Sequence, residues 1–321
     1  MGRYEEVDLG RVTRISVGDR RSKVAAGLLA APPRDADSFG AFWDGLPAVL
    51  GAAELRGLAR AVVAARAAGR PVVWMCGAHV VKVGLGPVLI RMLREDLITL
   101  LAVNGAFAIH DLELALWGAT SEEVADELHR GRFGMARETS ELLNGAVAEG
   151  ARRGEGMGEA VGRSLLEQRD AWCTESVVAT GYELGVPVTV HVAIGTDITH
   201  QHPDFQPEAA GATSGRDFRI LAAHLRDLEG AVVVNVGSAV VLPEVFLKAL
   251  SVAVNLGASC RGLVTATLDF QRHYRPRVNV VERPAQAGGH GAYLVGHHEI
   301  LLPLLYQGIL LERGRQTGGV S

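Results

Sequence analysis

The sequence predicts an α/β protein with a Rossmann-like, doubly wound and mainly parallel sheet flanked by helices. Three observations support this fold class. Short runs such as residues 71–74 and 231–236 are almost continuously apolar, which is typical of strands buried on both faces. Helix-forming segments separate these runs, so strand and helix alternate along the chain. Each run also ends in glycine or another small residue, followed by polar residues.

The first half of the chain contains mostly helical patterns. We predict, in order, a helix over 52–68, a strand over 71–74, a helix over 87–94, a strand over 97–103, and helices over 134–152, 158–169 and 174–184. Gly69 and Gly185 are the predicted helix stops. The stretch Thr120-Ser121-Glu122-Glu123 predicts a capping box that opens a further helix.

The second half alternates more regularly. We predict strands over 186–193, 231–236, 262–267 and 292–295, and helices over 216–227, 243–255 and 299–312, with an irregular stretch before the last strand. Neither a linker nor a composition break divides this pattern. We therefore expect an N-terminal arm over 1–36, a single large domain over 37–312 and a frayed tail over 313–321.

Composition excludes several classes of protein. The net charge of the 321 residues is −4, so no global basic field is available to hold nucleic acid. Cys76, Cys173 and Cys260 are far apart, which argues against a disulfide framework and a thiolate zinc site. Neither a signal peptide nor an apolar run of about 18 residues is found. We expect a cytoplasmic protein without nucleic-acid or membrane partners.

Polar residues follow each predicted strand, where open α/β sheets bind ligands. The residues at these six strand ends are Gly77 and His79, Asn104 and Gly105, Gly195 and Asp197, Gly237 and Ser238, Thr265 and Asp269, and Gly296, His297 and His298. Their recurrence predicts a common pocket for a small-molecule substrate, although ordinary turns would look similar. The standard GxGxxG dinucleotide fingerprint is absent.

Histidines and aspartates near these strand ends are the candidate catalytic groups. His110, His200 and His298 could transfer protons. The carboxylates of Asp111, Asp197 and Asp269 could bind a ribose hydroxyl or a substrate ammonium, and helix capping is their alternative role. No fixed ligand spacing such as HExxH occurs, so we predict no metal site.

Several segments together resemble the deoxyhypusine synthase family. They are residues 101–116 (LAVNGAFAIHDLELAL), 186–197, 237–257 (GSAVVLPEVFLKALSVAVNLG) and 265–270 (TATLDF), with a weaker match over 298–305. The motifs are individually short, and the resemblance extends at low identity over roughly residues 70–310.

This resemblance implies a Rossmann-like sheet, bound NAD and a homotetramer with sites at subunit interfaces. In that family NAD oxidises spermidine, and the aminobutyl group passes through an imine on an enzyme lysine to a lysine of a translation factor. The positions that the resemblance assigns to the cofactor pocket are Asn104, Gly105, Ala106, Asp197, Gly237, Ser238, Thr265, Ala266 and Thr267, with Asp269 at the family's acidic position.

The family's catalytic lysine segment is replaced. Residues 271–290 (QRHYRPRVNVVERPAQAGGH) contain neither lysine nor tryptophan, and Pro243-Glu244 stand in place of paired histidines. Lys82 could substitute for the missing lysine, or be a surface residue. The arginines of residues 273–277 are suited to binding a carboxylate or phosphate, or could pair with helix carboxylates.

We therefore expect an enzyme similar to NAD-dependent transferases and oxidoreductases, acting on a small amine or polyamine-type substrate, and not deoxyhypusine synthase itself. Two alternatives stay open. One is a metal-dependent hydrolase or lyase that uses the histidines and aspartates at the strand ends. The other is a non-catalytic oligomeric protein that binds a ligand on the same fold.

Overall fold

A computed structural model describes residues 3–21, 23, 25–168 and 175–318. The chain divides into two compact units, Met1–Ala53 and Glu54–Ser321. In the first unit, three short 3-10 turns precede helix α1, Phe39–Gly45, which begins after Ser38 accepts a hydrogen bond from the Ala41 amide. The ring of Phe39 packs 5.7 Å from that of Trp43.

The helices and strands alternate along the rest of the chain. In order they are α2 Leu50–Ala67, β1 Val72–Cys76, α3 His79–Lys82, α4 Gly86–Arg94, β2 Leu100–Asn104, α5 Gly105–Trp117, α6 Val124–His129, α7 Arg137–Arg153, α8 Met157–Gln168, α9 Val177–Leu184, β3 Val188–His191, α10 Pro207–His224, β4 Val232–Val236, α11 Val241–Asn255, β5 Val264–Asp269, a π-helix Pro276–Glu282, α12 Arg283–Gln286, β6 His290–Val295 and α13 His298–Gly318. Among the described helices, none combines the length and apolarity needed to cross a membrane.

The six strands form one parallel sheet in the order β3-β2-β1-β4-β5-β6. This is the strand order of a doubly wound Rossmann fold, which confirms the predicted fold class. The chain moves outward in one direction from β1 to β3 and in the other direction from β4 to β6. The strand order therefore reverses between β1 and β4, where such folds have a crevice at the carboxyl ends of the strands.

Burial on both faces explains why the strands are so apolar. All five residues of β1 and of β4 are buried. On one face, Met75 and Val233 pack in a core cluster with Leu221 of α10 and Phe246 of α11. Burying an apolar side chain of this size contributes about 1.5–3 kcal/mol, so these contacts hold the carboxyl ends of the strands in fixed positions.

Side chains of α10 form hydrogen bonds with the backbone of the edge strand β3. Asp217 accepts a hydrogen bond from the Val190 amide at 2.8 Å, and Ser214 donates to the Val190 carbonyl at 2.8 Å. These are the bonds that a further strand would otherwise make. Asp217 is 1% exposed, and burial raises its pKa to about 7 although the amides of Val190 and Gly158 lower it.

Several predicted elements differ from the structure in extent. Helix α10 begins at Pro207 rather than at 216, because proline at the first helical position is compatible with a helix start. Helix α13 continues to Gly318, through most of the predicted tail, and Arg313 bonds Glu95 at 2.6 Å. Residues 276–286 are helical where the sequence suggested irregular structure.

The predicted capping box is also wrong. Residues 119–123 are not helical, and α6 begins at Val124 after Glu123, which makes no side-chain cap bond. Thr120 and Glu122 bond elsewhere in the structure, to Glu113 and to the Gly134 amide. Tertiary partners have thus taken the groups that the local pattern assigned to a cap.

Candidate functional site

Two glycine turns meet where the strand order reverses. Gly77 follows β1 and Gly237 follows β4, and the Gly77 amide donates to the Val236 carbonyl at 2.9 Å. A Cβ atom on Gly77 would overlap the carbonyl oxygen of Gly237, and Gly237 itself has a φ of +65°. Only glycine permits this close approach and this backbone conformation. The crevice is therefore lined by backbone on both sides.

Four rings cover the ends of β5 and β6, and we call them the ring cluster: His79, Phe270, His297 and His298. The His79 and His298 rings meet edge to face at 5.3 Å, and Phe270 stacks with His297 at 6.4 Å. A Cβ on Gly237 would lie 2.8 Å from Cε1 of His298. The ring cluster therefore borders the β4 turn directly.

His298 is held as a neutral imidazole. Its side chain is fully buried, and Nε2 donates to the Leu268 carbonyl at 3.3 Å. Burial lowers the pKa of His298, because a charged ring would lose its hydration. The other ring nitrogen, Nδ1, consequently carries a lone pair and has no partner among the described residues.

Two further buried atoms, on the neighbouring strands β4 and β5, lack partners within the described part of the chain: Asn235 Oδ1 and Thr267 Oγ1. Asn235 of β4 pairs in register with Thr267 of β5, so their side chains share a face of the sheet. The Asn235 amide nitrogen donates to the Ser238 carbonyl at 3.1 Å. Buried polar atoms are nearly always bonded, so these atoms fit a ligand or ordered water at this end of the sheet.

Asp269 ends β5 beside the ring cluster. It accepts a hydrogen bond from the Gln271 amide at 3.3 Å, and Nε2 of His273 lies 3.9 Å from its Oδ1. The carboxyl group is almost completely buried. Asp269 thus brings a carboxylate to the same strand end as His298.

On the other side of the reversal, Asp197 occupies the N-terminus of α5. The turn there is Asn104-Gly105-Ala106, in which Asn104 caps the helix by accepting from the Phe107 amide at 3.2 Å. A Cβ on Gly105 would overlap the Asp197 carboxylate, so glycine makes room for it. Burial raises the pKa of Asp197 to about 6, while a hydrogen bond from the Ala106 amide lowers it.

His200 is fixed by the loop that carries Asp197. Its Nδ1 accepts from the Gly195 amide at 3.1 Å and from the Asp197 amide at 3.3 Å. Burial lowers the pKa of His200, so the neutral ring persists near pH 7. Both bonds act on the loop backbone, which gives His200 a structural role beside its candidate catalytic one.

A cavity of about 150 Å³ lies beside α5, and we call it the α5 cavity. Its polar lining consists of Lys82, His110, Glu113, Ser121, Glu122, Thr196 and Asp197. Nδ1 of His110 lies 2.7 Å from the hydroxyl of Thr120, a residue outside this lining, and that hydroxyl donates in turn to Glu113. Carboxylates, an imidazole and an amine thus line one cavity.

The structure brings most of the predicted site residues to the carboxyl edge. On the α5 side these are Asn104, Gly105, Ala106, His110, Asp197 and His200, and on the other side Gly237, Ser238, Thr267, Asp269 and His298. Asp111 is not among them. It is 1% exposed and caps α9, accepting from the Ser176 hydroxyl at 2.5 Å and the Val177 amide at 2.8 Å. Capping, its alternative role, is the one that the structure shows.

Thr265 and Ala266 also lie away from the edge. Strand β5 is Val264–Asp269, so Thr265 is near its amino end and Ala266 is in its interior. Thr265 is four positions before Asp269, which corresponds to about 13 Å along an extended strand. The Thr265 hydroxyl instead bonds the His290 carbonyl at 3.4 Å. These two positions belong to the sheet interior, contrary to the assignment that the resemblance implied.

The arginines that suggested an anionic ligand are paired. Arg275 bonds Glu244 at 3.1 Å, and Arg277 bonds Glu282. Glu244 also pairs with Lys248, one helical turn away. The structure therefore shows the second of the two roles considered for this segment, pairing with helix carboxylates.

Sequence reasoning missed Glu113, Thr120 and Phe270 as members of the site. The spacing of His110 and Glu113, three residues apart on one predicted helix, was an available signal because such residues share a face. Thr120 and Phe270 gave no comparable local pattern. Within the described ranges, no group of three or more His, Cys, Asp or Glu side chains could hold a metal ion.

Comparison with known proteins gives likenesses of fold. No family model and no curated protein matches the sequence. A solved structure of AgrE, a ternary complex with ornithine and NAD+, is similar at 18% identity and a TM-score of 0.51, over 83% of this chain and 33% of AgrE. A conserved putative LOR/SDH protein from Methanococcus maripaludis S2 is similar at 16% identity and a TM-score of 0.50, over 83% of this chain and 70% of that protein.

These likenesses show the Rossmann-like fold. The chain spans about a third of the length of AgrE and of the similar arginine dihydrolase ArgZ from cyanobacteria. A putative deoxyhypusine synthase from Entamoeba histolytica is similar at 7% identity and a TM-score of 0.47, over 86% of this chain and 94% of that protein. At those values it supports no family assignment, and the resemblance to that family stays a prediction.

Proposed function

We propose that this chain is an NAD-dependent enzyme that acts on a small amine. The observation that carries the proposal is the pair of touching glycine turns at the strand-order reversal, with polar groups on both sides of it. In doubly wound sheets a dinucleotide binds across this crevice, one half on each side. The similar fold of AgrE, which was solved with ornithine and NAD+, supports the same class of ligand.

The residues on the β4–β6 side fit a nicotinamide-containing ligand. His298 Nδ1 and Asn235 Oδ1 are acceptors without partners among the described residues, and an amide or hydroxyl of a ligand could donate to them. The turns Gly77-Ala78 and Gly237-Ser238 would approach the phosphates through backbone, as glycine turns do. When bound, NAD would supply the hydride acceptor for oxidation of a carbon next to nitrogen.

The α5 cavity supports an amine as the substrate. Asp197, Glu113 and Glu122 place three carboxylates around it, and an ammonium group would pair with them. Lys82 also lines the cavity, whereas Lys248 is paired with Glu244. Because residues 271–290 contain no lysine, we propose chemistry other than that of deoxyhypusine synthase.

Thermal unfolding with and without NAD tests the cofactor. A ligand present at 100 times its Kd stabilises the folded state by about 2.7 kcal/mol, which raises the unfolding midpoint by roughly 4 °C in a protein of this size. Ala78→Asp places a negative charge in the β1 turn and should abolish this shift by repelling the pyrophosphate. Ala287→Asp, at an exposed position near the amino end of β6, should preserve it.

Absence of a shift with millimolar NAD or NADP in the wild-type protein would overturn the proposal. If the shift is seen, consumption of candidate amines and amino acids in the presence of NAD, followed by mass spectrometry, identifies the substrate. Native mass spectrometry of the same sample counts the subunits, and four is the number that we propose. A protein that binds NAD and consumes none of these substrates would contradict the amine half of the proposal.

A further inference from the structure

Two side chains that line the α5 cavity, His110 and Glu113, are joined through the hydroxyl of Thr120 into a continuous hydrogen-bonded chain. His110 Nδ1 contacts the hydroxyl of Thr120 at 2.7 Å, and that hydroxyl bonds Oε2 of Glu113. The second carboxylate oxygen of Glu113 accepts from Thr139 at 3.0 Å. The other nitrogen of His110, Nε2, has no hydrogen bond within the described residues, and His110 lines the cavity.

The direction of each hydrogen bond follows from the charge of Glu113. Burial alone would raise its pKa, but bonds from His110, Thr120 and Thr139 outweigh this and hold the pKa below its ordinary value. The carboxylate is therefore ionised and only accepts, so Thr120 must donate to it. The oxygen of Thr120 then accepts from His110, which places the ring proton on Nδ1 and the lone pair on Nε2.

Local backbone structure holds this arrangement in place. His110 and Glu113 are three residues apart on α5, and Thr120 returns to them after α5 ends at Gly118, which has a φ of +67°. Ser121 follows with a φ of +72°, a conformation that non-glycine residues rarely adopt. Such strained residues persist only where surrounding contacts determine them, and they cluster at functional sites.

We propose that His110 is the general base of the reaction, with Thr120 and Glu113 as its positioning residues; this rests on the proposed function. Nε2 takes a proton from the substrate ammonium: the N–H bond breaks, its electron pair stays on the substrate nitrogen, and a new bond forms between Nε2 and hydrogen. The resulting imidazolium is stabilised through Thr120 by the Glu113 carboxylate. The neutral amine nitrogen can then support loss of hydride from the adjacent carbon.

Other charged groups also face His110. Lys82 from α3, Glu122 from the loop after α5, and Asp197 from the loop after β3 line the same cavity. All three are titratable groups. A pH profile alone would therefore mix several titrations, so the decisive readout must report on the His110 ring itself.

NMR of the imidazole nitrogens in ligand-free protein provides that readout. In 15N-histidine-labelled wild type near neutral pH, we expect His110, assigned by its loss in His110→Gln, to show a protonated Nδ1 and an unprotonated Nε2. Thr120→Val should return the ring to a mixture of tautomers, and Thr120→Ser should restore the single form. Thr139→Val removes the other hydroxyl from Glu113 without touching His110, and it should leave the tautomer unchanged.

Kinetics then separate this proposal from the proposed function. With an amine identified as above, His110→Gln should lower kcat/KM by about 10²–10⁴, as expected for a general base. Thr120→Val should lower kcat/KM less than His110→Gln does, and Thr317→Val on α13 is the control. A proton on Nε2 in wild type, or an unchanged tautomer in Thr120→Val, would overturn the inference even if NAD binds. Failure of NAD binding with the tautomers as expected would instead overturn the proposed function.

Discussion

The two sides of the strand-order reversal satisfy their polar groups in opposite ways. On the α5 side, the Asp197 carboxylate is bonded by the α5 N-terminus, and both His200 and His110 bond neighbouring groups. On the β4–β6 side, His298 Nδ1 and Thr267 Oγ1 are buried without partners among the described residues. On the α5 side the buried groups named here are bonded within the chain, whereas on the β4–β6 side two buried atoms have no partner in the described part of the chain.

This difference has a physical cause. A helix N-terminus presents free amides, and at α5 a carboxylate from the same chain fills that position, so the site needs no external anion there. After β4, near the start of α11, the Ser238 hydroxyl accepts from the Leu242 amide at 3.2 Å and carries no charge. Under the proposed function, the α5 side would therefore recognise a ligand through fixed charges, whereas the β4 turn would offer neutral acceptors and backbone.

The largest effect should come from the contact that joins the two sides. Gly77→Ala places a methyl group against the carbonyl oxygen of Gly237, and neither backbone segment can yield easily. We expect a loss of about 3 kcal/mol or more in the free energy of unfolding, measured by urea denaturation. Gly145→Ala, in an exposed position of α7 with open space around it, should gain about 0.5–1 kcal/mol. Similar stabilities for the two variants would disprove the close approach of the turns.

The second-largest effect should be the pH-dependent change in stability caused by the buried carboxylate of Asp197. Burial raises the pKa of Asp197 from 3.8 to about 6, so this group favours folding below pH 3.8 and the contribution is lost as pH rises through about 6. Asp197→Asn lacks that titration. Its stability relative to wild type should rise by roughly 2–3 kcal/mol between pH 4 and pH 7, measured by urea unfolding at each pH. Exposed Asp126→Asn on α6 serves as control, and a flat difference for Asp197→Asn would contradict burial of the charge.

The smallest effect should be the difference in stability between valine variants of two threonines of β5. Thr267→Val removes a hydroxyl without a partner in the described chain, so unfolding of ligand-free protein should change by less than about 1 kcal/mol, in the stabilising direction. Thr265→Val removes a hydroxyl bonded to the His290 carbonyl and should destabilise by roughly 0.5–1 kcal/mol. If the open bonds serve NAD, only Thr267→Val should reduce the NAD-induced thermal shift. Equal stabilities and equal shifts would remove the distinction between the bonded hydroxyl of Thr265 and the unpartnered hydroxyl of Thr267.

The fold was predictable because burial on both faces of a parallel sheet produces a sequence pattern that local reading detects. The residues at which the strands end were less predictable. The predicted strand over 262–267 is Val264–Asp269 in the structure, and this shift of two residues moves Thr265 from the carboxyl end to the amino end. Composition cannot place a strand end that tightly, because the hydrogen-bonding neighbours decide it.

The location of the candidate site at the strand ends was predictable from the sequence. The roles of its individual residues were less predictable. Asp111 directly follows His110, yet it bonds α9, more than 60 residues further along the chain. His110 was identified as a candidate proton-transfer group, but Thr120, which orients it, was assigned to a helix cap. In both cases the deciding partner is distant in sequence or in another element, and local propensity carries no information about it.

The covered edge at β3 also bears on how copies of this chain could assemble. The Val190 amide and carbonyl are both occupied by α10 side chains, so that point of the edge cannot align with a strand from a neighbouring molecule. A continuous intersubunit sheet through β3 is therefore blocked by two side chains, Asp217 and Ser214. Loss of either side chain would leave the amide or the carbonyl of Val190 without this partner.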